Sequence, residues 1–163
     1  MTRRYGRAMG GERVNEGVPA GRWSTLTVLG AVSISGWVAT MSIEAPTDGD
    51  VFLAYLEHVL CPQLKPGQIV VMDNLGAHKV DGVKELIYQT GASLLYLPPY
   101  SPDFNPIEQS FNQIKMWMQK NRDYLQHCNS FEEFFDWALE AFNVTGDPGS
   151  HFRYCGYTDE SRD

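Results

Sequence analysis

The chain has 163 residues, 43% of them hydrophobic and 12% aromatic, enough for one globular domain with a real core and too few for two of ordinary size. No window approaches the roughly 18 uninterrupted apolar residues of a membrane span, and the opening MTRRYGRAMGG lacks the apolar stretch of a secretion signal, so a soluble, cytoplasmic chain is expected. The net charge of −7 excludes charge as an argument for nucleic acid, although it is unevenly spread: eleven acidic and eleven basic residues up to position 122, then nine and two.

Residues 1–21, rich in Gly and Arg, read as an irregular basic arm carrying Arg3, Arg4, Arg7 and Arg13. Alternation from Thr25 to Ile34 puts Leu26, Val28, Val32 and Ile34 on one face, and Trp37 to Ile43 alternates again after Ser35-Gly36, which predicts an antiparallel hairpin. Thr47 and Asp50 fit the two ends of a capping box for a helix with Val51, Phe52, Tyr55, Leu56, Val59 and Leu60 on its apolar face, stopped by Pro62. Lys65-Pro66-Gly67 turns into an apolar run, Ile69 to Met72, that reads as a buried strand ending at Asp73. A helix from about Val80 to Thr90, closed by Gly91, leads to a strand Ser93 to Leu97, the order a parallel pair requires, so a mixed sheet is expected.

Pro98 to Pro106 holds four of the nine prolines and reads as a stiff loop aiming a helix that starts near Ile107 with Ile107, Phe111, Ile114 and Met118 as its buried stripe. Lys115, Lys120 and Arg122 follow along that helix; they could contact phosphates, while sparse charges of this kind usually form a solvated face. A last helix opens at Ser130, with Glu133 three residues on, presents Phe131, Phe134, Phe135, Ala138, Leu139 and Phe142, and ends at Gly146-Asp147-Pro148-Gly149. Three cysteines, Cys61, Cys128 and Cys155, lie too far apart for a zinc cluster or a disulfide framework.

Two acids stand where chemistry would need them. Asp73 closes a strand, and ligands in open α/β sheets collect at the carboxyl ends of strands. Glu108 lies in the first turn of a helix, 34 residues separating the two. Each has a purely structural reading: Asp73 starts a turn that Asn74 continues, and Glu108 returns a hydrogen bond to an Asn105 cap. The two together with their settings, IVVMDNLGAHK and LPPYSPDFNPIE, resemble the DDE endonuclease domain of bacterial insertion-sequence transposases of the mariner-like superfamily. RRYGRAMGGERV, GDVFLAYLEHVL and FRYCGY extend the resemblance over nearly the whole chain.

The resemblance implies an α/β, ribonuclease-H-like fold over 1–163, with a core at 22–145 and a tail at 146–163. It implies cutting of transposon ends and transfer of the 3′ strand to target DNA. Asp73 and Glu108 match the second and third acids of an Asp, Asp, Glu triad that holds two magnesium or manganese ions, hard cations suited to carboxylate oxygens. Asn74, His78, Asn105 and Lys115 are candidate supporting groups or DNA contacts, although Asn105 reads more readily as a helix cap and a His placed like His78 is as often a surface or cap residue. DNA and a homo-oligomer are the implied partners, with no membrane and a nucleoid location when bound. The family's first Asp belongs on a strand just upstream of the segment resembling MTRRYGRA, so this sequence is expected to lack that Asp, its central strand and the helix-turn-helix region, and to be inactive alone. The alternatives are a non-catalytic remnant or regulator that binds transposase or DNA, or an unrelated metal-dependent nuclease or phosphatase.

Overall fold

The computed structural model describes residues 26–157; the basic arm with its arginines falls outside them. Strands β1 (Thr27–Ser33) and β2 (Gly36–Ile43) form the expected antiparallel hairpin, with Ser33 opposite Gly36 and a register shift between Ala31 and Val32. Gly36, at φ +130°, closes the two-residue turn in a conformation only glycine adopts without strain. Both faces of the hairpin are covered, which the single-face reading missed. Leu29, Ala31 and Met41 pack into one core, Val28 and Trp37 into another, and Ile34 is exposed at the turn.

Helix α1 (Gly49–Tyr55) is capped by Asp48, whose carboxylate accepts from the Val51 amide at 3.0 Å. The cap is therefore one residue later than Thr47, and Thr47 Oγ1 is buried without a partner. A carboxylate at the N-cap also meets the positive end of the helix dipole, which a threonine hydroxyl cannot match. The helix runs on through a wide π-type turn, Leu56–Leu60, and a 3-10 turn, Cys61–Gln63, that contains Pro62. Phe52, Tyr55, Leu56 and Leu60 are buried as the periodicity requires, and the Tyr55 hydroxyl donates to the Ala39 carbonyl of β2 at 3.3 Å.

Strand β3 (Ile69–Met72) pairs in parallel with β4 (Ser93–Tyr96), joined by a 3-10 turn at Gly76–Lys79 and helix α2 (Val83–Gln89). Helix α2 starts later than expected because Gly82, at φ +99°, occupies its N-cap. Val70, Met72, Leu94 and Tyr96 face the core with Phe52, Val83 and Ile87, whereas Ile69 and Leu95 on the other face are more than half exposed. The strand expected to be buried is thus covered on one side only. Among the described residues the strands form two separate two-stranded sheets sharing one core, rather than a single mixed sheet.

Helix α3 (Pro106–Lys120) and helix α4 (Phe131–Thr145) build the second core from Ile114, Phe135, Ala138, Leu139 and Phe142, with Trp37 edge-on to Phe111 at 5.0 Å. Ser130 caps α4 as expected, accepting from the Glu133 amide at 3.1 Å. The tail contains a fifth helix, α5 (Pro148–Tyr154), where the sequence pattern had suggested only a stop. Asp147-Pro148, read as a breaker, supplies its N-cap and first helical residue. No helix among the described residues is long and apolar enough to cross a membrane.

Candidate functional site

Asp73 emerges where β3 ends, beside β4: the Leu97 amide donates to the Met72 carbonyl at 2.7 Å, extending the parallel ladder to that point. The Asp73 carboxylate is about one-third exposed. Its Oδ1 accepts from the Leu75 amide at 3.3 Å, the turn predicted for a strand-end Asp, and from His78 Nδ1 at 2.6 Å. Its Oδ2 has no hydrogen-bond partner among the described residues.

His78 is held from three sides, by Asp73, by the Phe52 ring at 4.4 Å and by the Tyr96 hydroxyl, which donates to the His78 carbonyl at 2.6 Å. A donated Nδ1–H to a carboxylate fixes the tautomer and orients both groups. Phe52 was legible in the sequence only as a core residue and Tyr96 only as part of a strand, since nothing in their spacing ties them to His78. Asn74 Oδ1 is buried without a donor, directly after Asp73. Buried acceptors are nearly always paired, and an orphan next to an acid fits a site completed by a cation or by water bound to one.

The loop of residues 98–105 leaves the end of β4 beside Asp73 and delivers α3. Tyr100 sits there at φ +58°, wholly exposed. Asn105 caps α3, its side chain accepting from the Ile107 amide at 3.4 Å, with Pro106 buried at the first helical position. This cap is not a reciprocal capping box. The Asn105 amide donates to the Pro102 carbonyl at 2.9 Å instead, and the exposed Glu108 carboxylate makes no hydrogen bond or ion pair among the described residues. The bland explanation of Glu108 therefore fails on geometry. Lys115 is exposed further along α3.

The structure thus joins Asp73 to His78, with Asn74 adjacent, and Asn105 to the first turn carrying Glu108. It does not gather the expected acids: the described residues hold no group of three or more His, Cys, Asp or Glu side chains able to share a metal ion, so Glu108 does not join the Asp73–His78 pair in one. At Asp73 and Asn74 the donors present are hard oxygens, the free carboxylate oxygen Oδ2 and the orphan amide oxygen, and such donors suit magnesium or manganese rather than a softer metal. Electrostatically the neighbourhood is divided. Helix α3 carries Lys115 and Lys120, whereas α4, packed against it, carries Glu132, Glu133, Asp136 and Glu140. Partial burial and the carboxylates of Glu132, Glu140 and Glu133 push the Asp136 carboxyl above its ordinary range.

Residues 1–129 match the family described as DDE superfamily endonuclease. No curated protein matches the chain.

Proposed function

Because the chain belongs to the DDE superfamily endonuclease family, we propose that it is the catalytic domain of a transposase acting on transposon ends and target DNA, with Asp73 and Glu108 as ligands for magnesium or manganese. Endonucleases of this family act on DNA and generally use a divalent metal. The observation that carries the residue assignment is the Glu108 carboxylate left free of its own helix cap, in the first turn of the helix that follows the loop starting beside Asp73. His78 fits the role of orienting Asp73 through Oδ1, which leaves Oδ2 for the metal. The metal would supply charge stabilisation for the oxygens of a phosphodiester under attack. The mariner-like affiliation, the insertion-sequence origin and strand transfer into target DNA belong to this reading.

Manganese binding by the purified chain, followed by electron paramagnetic resonance, tests the assignment. Asp73→Asn and Glu108→Gln should each weaken binding by about tenfold or more, at least the loss typical when a group merely supporting a ligand is removed. Binding indifferent to both substitutions would refute it.

A second reading is favoured by one observation, the lack among the described residues of any group of three His, Cys, Asp or Glu side chains that could share a metal ion. On that reading the chain does not cut DNA by itself and acts by binding transposase or DNA. Co-expression with an intact relative separates the two, since lowered transposition supports interference. Nicking of transposon-end DNA by the chain alone in magnesium, abolished by Asp73→Asn, would exclude it.

A further inference from the structure

The tail beyond the family-matched residues 1–129 grips the segment that aims Glu108. Helix α5 packs against α3, and two side chains from the tail reach opposite sides of the Asn105 cap. Before the cap, the Tyr157 hydroxyl donates to the Phe104 carbonyl at 2.9 Å. After it, His151 Nδ1 lies 3.0 Å from Ser110 Oγ, and Ser110 Oγ also lies 3.2 Å from the Pro106 carbonyl. Ser110 has one hydroxyl proton, so both contacts are satisfied together only if His151 Nδ1–H donates to Ser110 and Ser110 donates to Pro106. Ser110 is fully buried, the one polar residue in the described core, where an unmet hydroxyl would be costly.

The tail is itself built to reach back. Gly156, at φ +89°, ends α5 with the Gly156 amide on the Arg153 carbonyl at 3.0 Å and the Tyr157 amide on the Phe152 carbonyl at 2.9 Å. That pair of bonds is the Schellman arrangement, and the Phe152 and Tyr157 rings, 5.9 Å apart, supply its usual apolar contact. The turn places Tyr157 on Phe104. Burial, with the Asp103 carboxylate nearby, pushes the thiol of Cys155 up, consistent with the same tail lying over the 102–104 turn.

We infer that His151 and Tyr157 are positioning residues: the tail clamps residues 104–110 from both sides and so sets the direction in which Glu108 projects. The inference rests on the reading of Glu108 as a metal ligand. It is tested on the full 163-residue chain by amide hydrogen exchange and manganese binding. Tyr157→Phe and Ser110→Ala should each speed exchange of the Ile107 and Glu108 amides by about tenfold, the factor one ordinary hydrogen bond supplies, while amides of α4 are unchanged. Helix propensity alone predicts the opposite for Ser110→Ala, because alanine favours the helix. His151→Leu should act likewise, and His151→Asn, which keeps an N–H where Nδ1 stands, should restore slow exchange. In the Tyr157→Phe/Ser110→Ala background, Glu108→Gln should weaken manganese binding far less than it does in the wild type. Unaltered exchange at Ile107 and Glu108, or equal acceleration across α3 and α4, overturns the clamp. If exchange responds but wild-type binding ignores Glu108→Gln, the clamp on the turn stands and the metal assignment of Glu108 falls.

Discussion

Asp136 shows how a single side chain can record its neighbours' charge. Its folded pKa is raised above 3.8, the ordinary value, first by burial and then by Glu132, Glu140 and Glu133 on the same helix. A raised acid is easier to protonate folded than unfolded, so its ionised form opposes folding at neutral pH, and that cost disappears as pH falls through the folded pKa. Asp136→Asn should therefore melt higher than the wild type at pH 7, and the two curves should converge as pH approaches 3.8. Added salt should shrink the neutral-pH difference, since the side chain is on the exposed side of α4. A wild type as stable as the variant at neutral pH and low salt would show that the acids of α4 do not strain it. At this scale the sequence singles out the two acids on which the proposal rests. Asp73 and Glu108 were visible because strand ends and helix first turns are places where carboxylates either cap or bind. That Glu108 does not close a capping box was not readable, because it depends on the Asn105 amide, which already donates to the Pro102 carbonyl.

The elements followed their sequence signals where a periodic apolar face coincided with a cap. Helix α4 did so from Ser130 to Gly146, and α3 from Asn105 onward. Errors arose where one residue served two purposes. Asp147-Pro148-Gly149 ends α4 and also starts α5, and proline at the first turn looks the same in a breaker as in a helix start. Ser110 was passed over because its spacing in α3 is that of a core position but its chemistry is not, and its partner His151 lies 41 residues away. The double-faced hairpin reads as simple alternation, since Val28 and Leu29 both find cores on opposite sides. The turn at Gly156 allows a clean test at this scale. An added Cβ would meet nothing within 4 Å, so Gly156→Ala carries only the backbone penalty of the left-handed region. Calorimetry should find a loss of about 1 kcal/mol, and a neutral result would show that the tail does not hold this turn in solution.

At the scale of the molecule, the described residues form two small sheets and five helices around two cores, and the sheets are the weak point. Two-stranded sheets are marginal by themselves, and every strand here has an unpaired edge among the described residues. Beside those edges β3 and β4 expose Ile69 and Leu95, apolar residues left more than half uncovered by the described residues. The isolated chain should therefore self-associate at micromolar concentration or unfold with poor cooperativity, and sedimentation velocity with a thermal melt decides the matter. A cooperative monomer of ordinary stability would contradict it. Fold class was legible at this scale because strand, helix, strand order implies a parallel pair, as β3 and β4 show. That the two pairs do not join was beyond local pattern, because backbone pairing between distant strands leaves no mark in either.

Helices α3 and α4 pack together, with Lys115, Lys120 and Glu108 on one and four carboxylates on the other, so acid is concentrated on α4 instead of being spread evenly. Such a body has an electric moment as well as a net repulsion. A polyanion approaching within a Debye length, about 10 Å at ordinary ionic strength, would be turned away by one flank and received by the other. The excess of acid that argued against nucleic acid by simple counting would then act as a rudder, fixing the bearing of approach before any phosphate is touched.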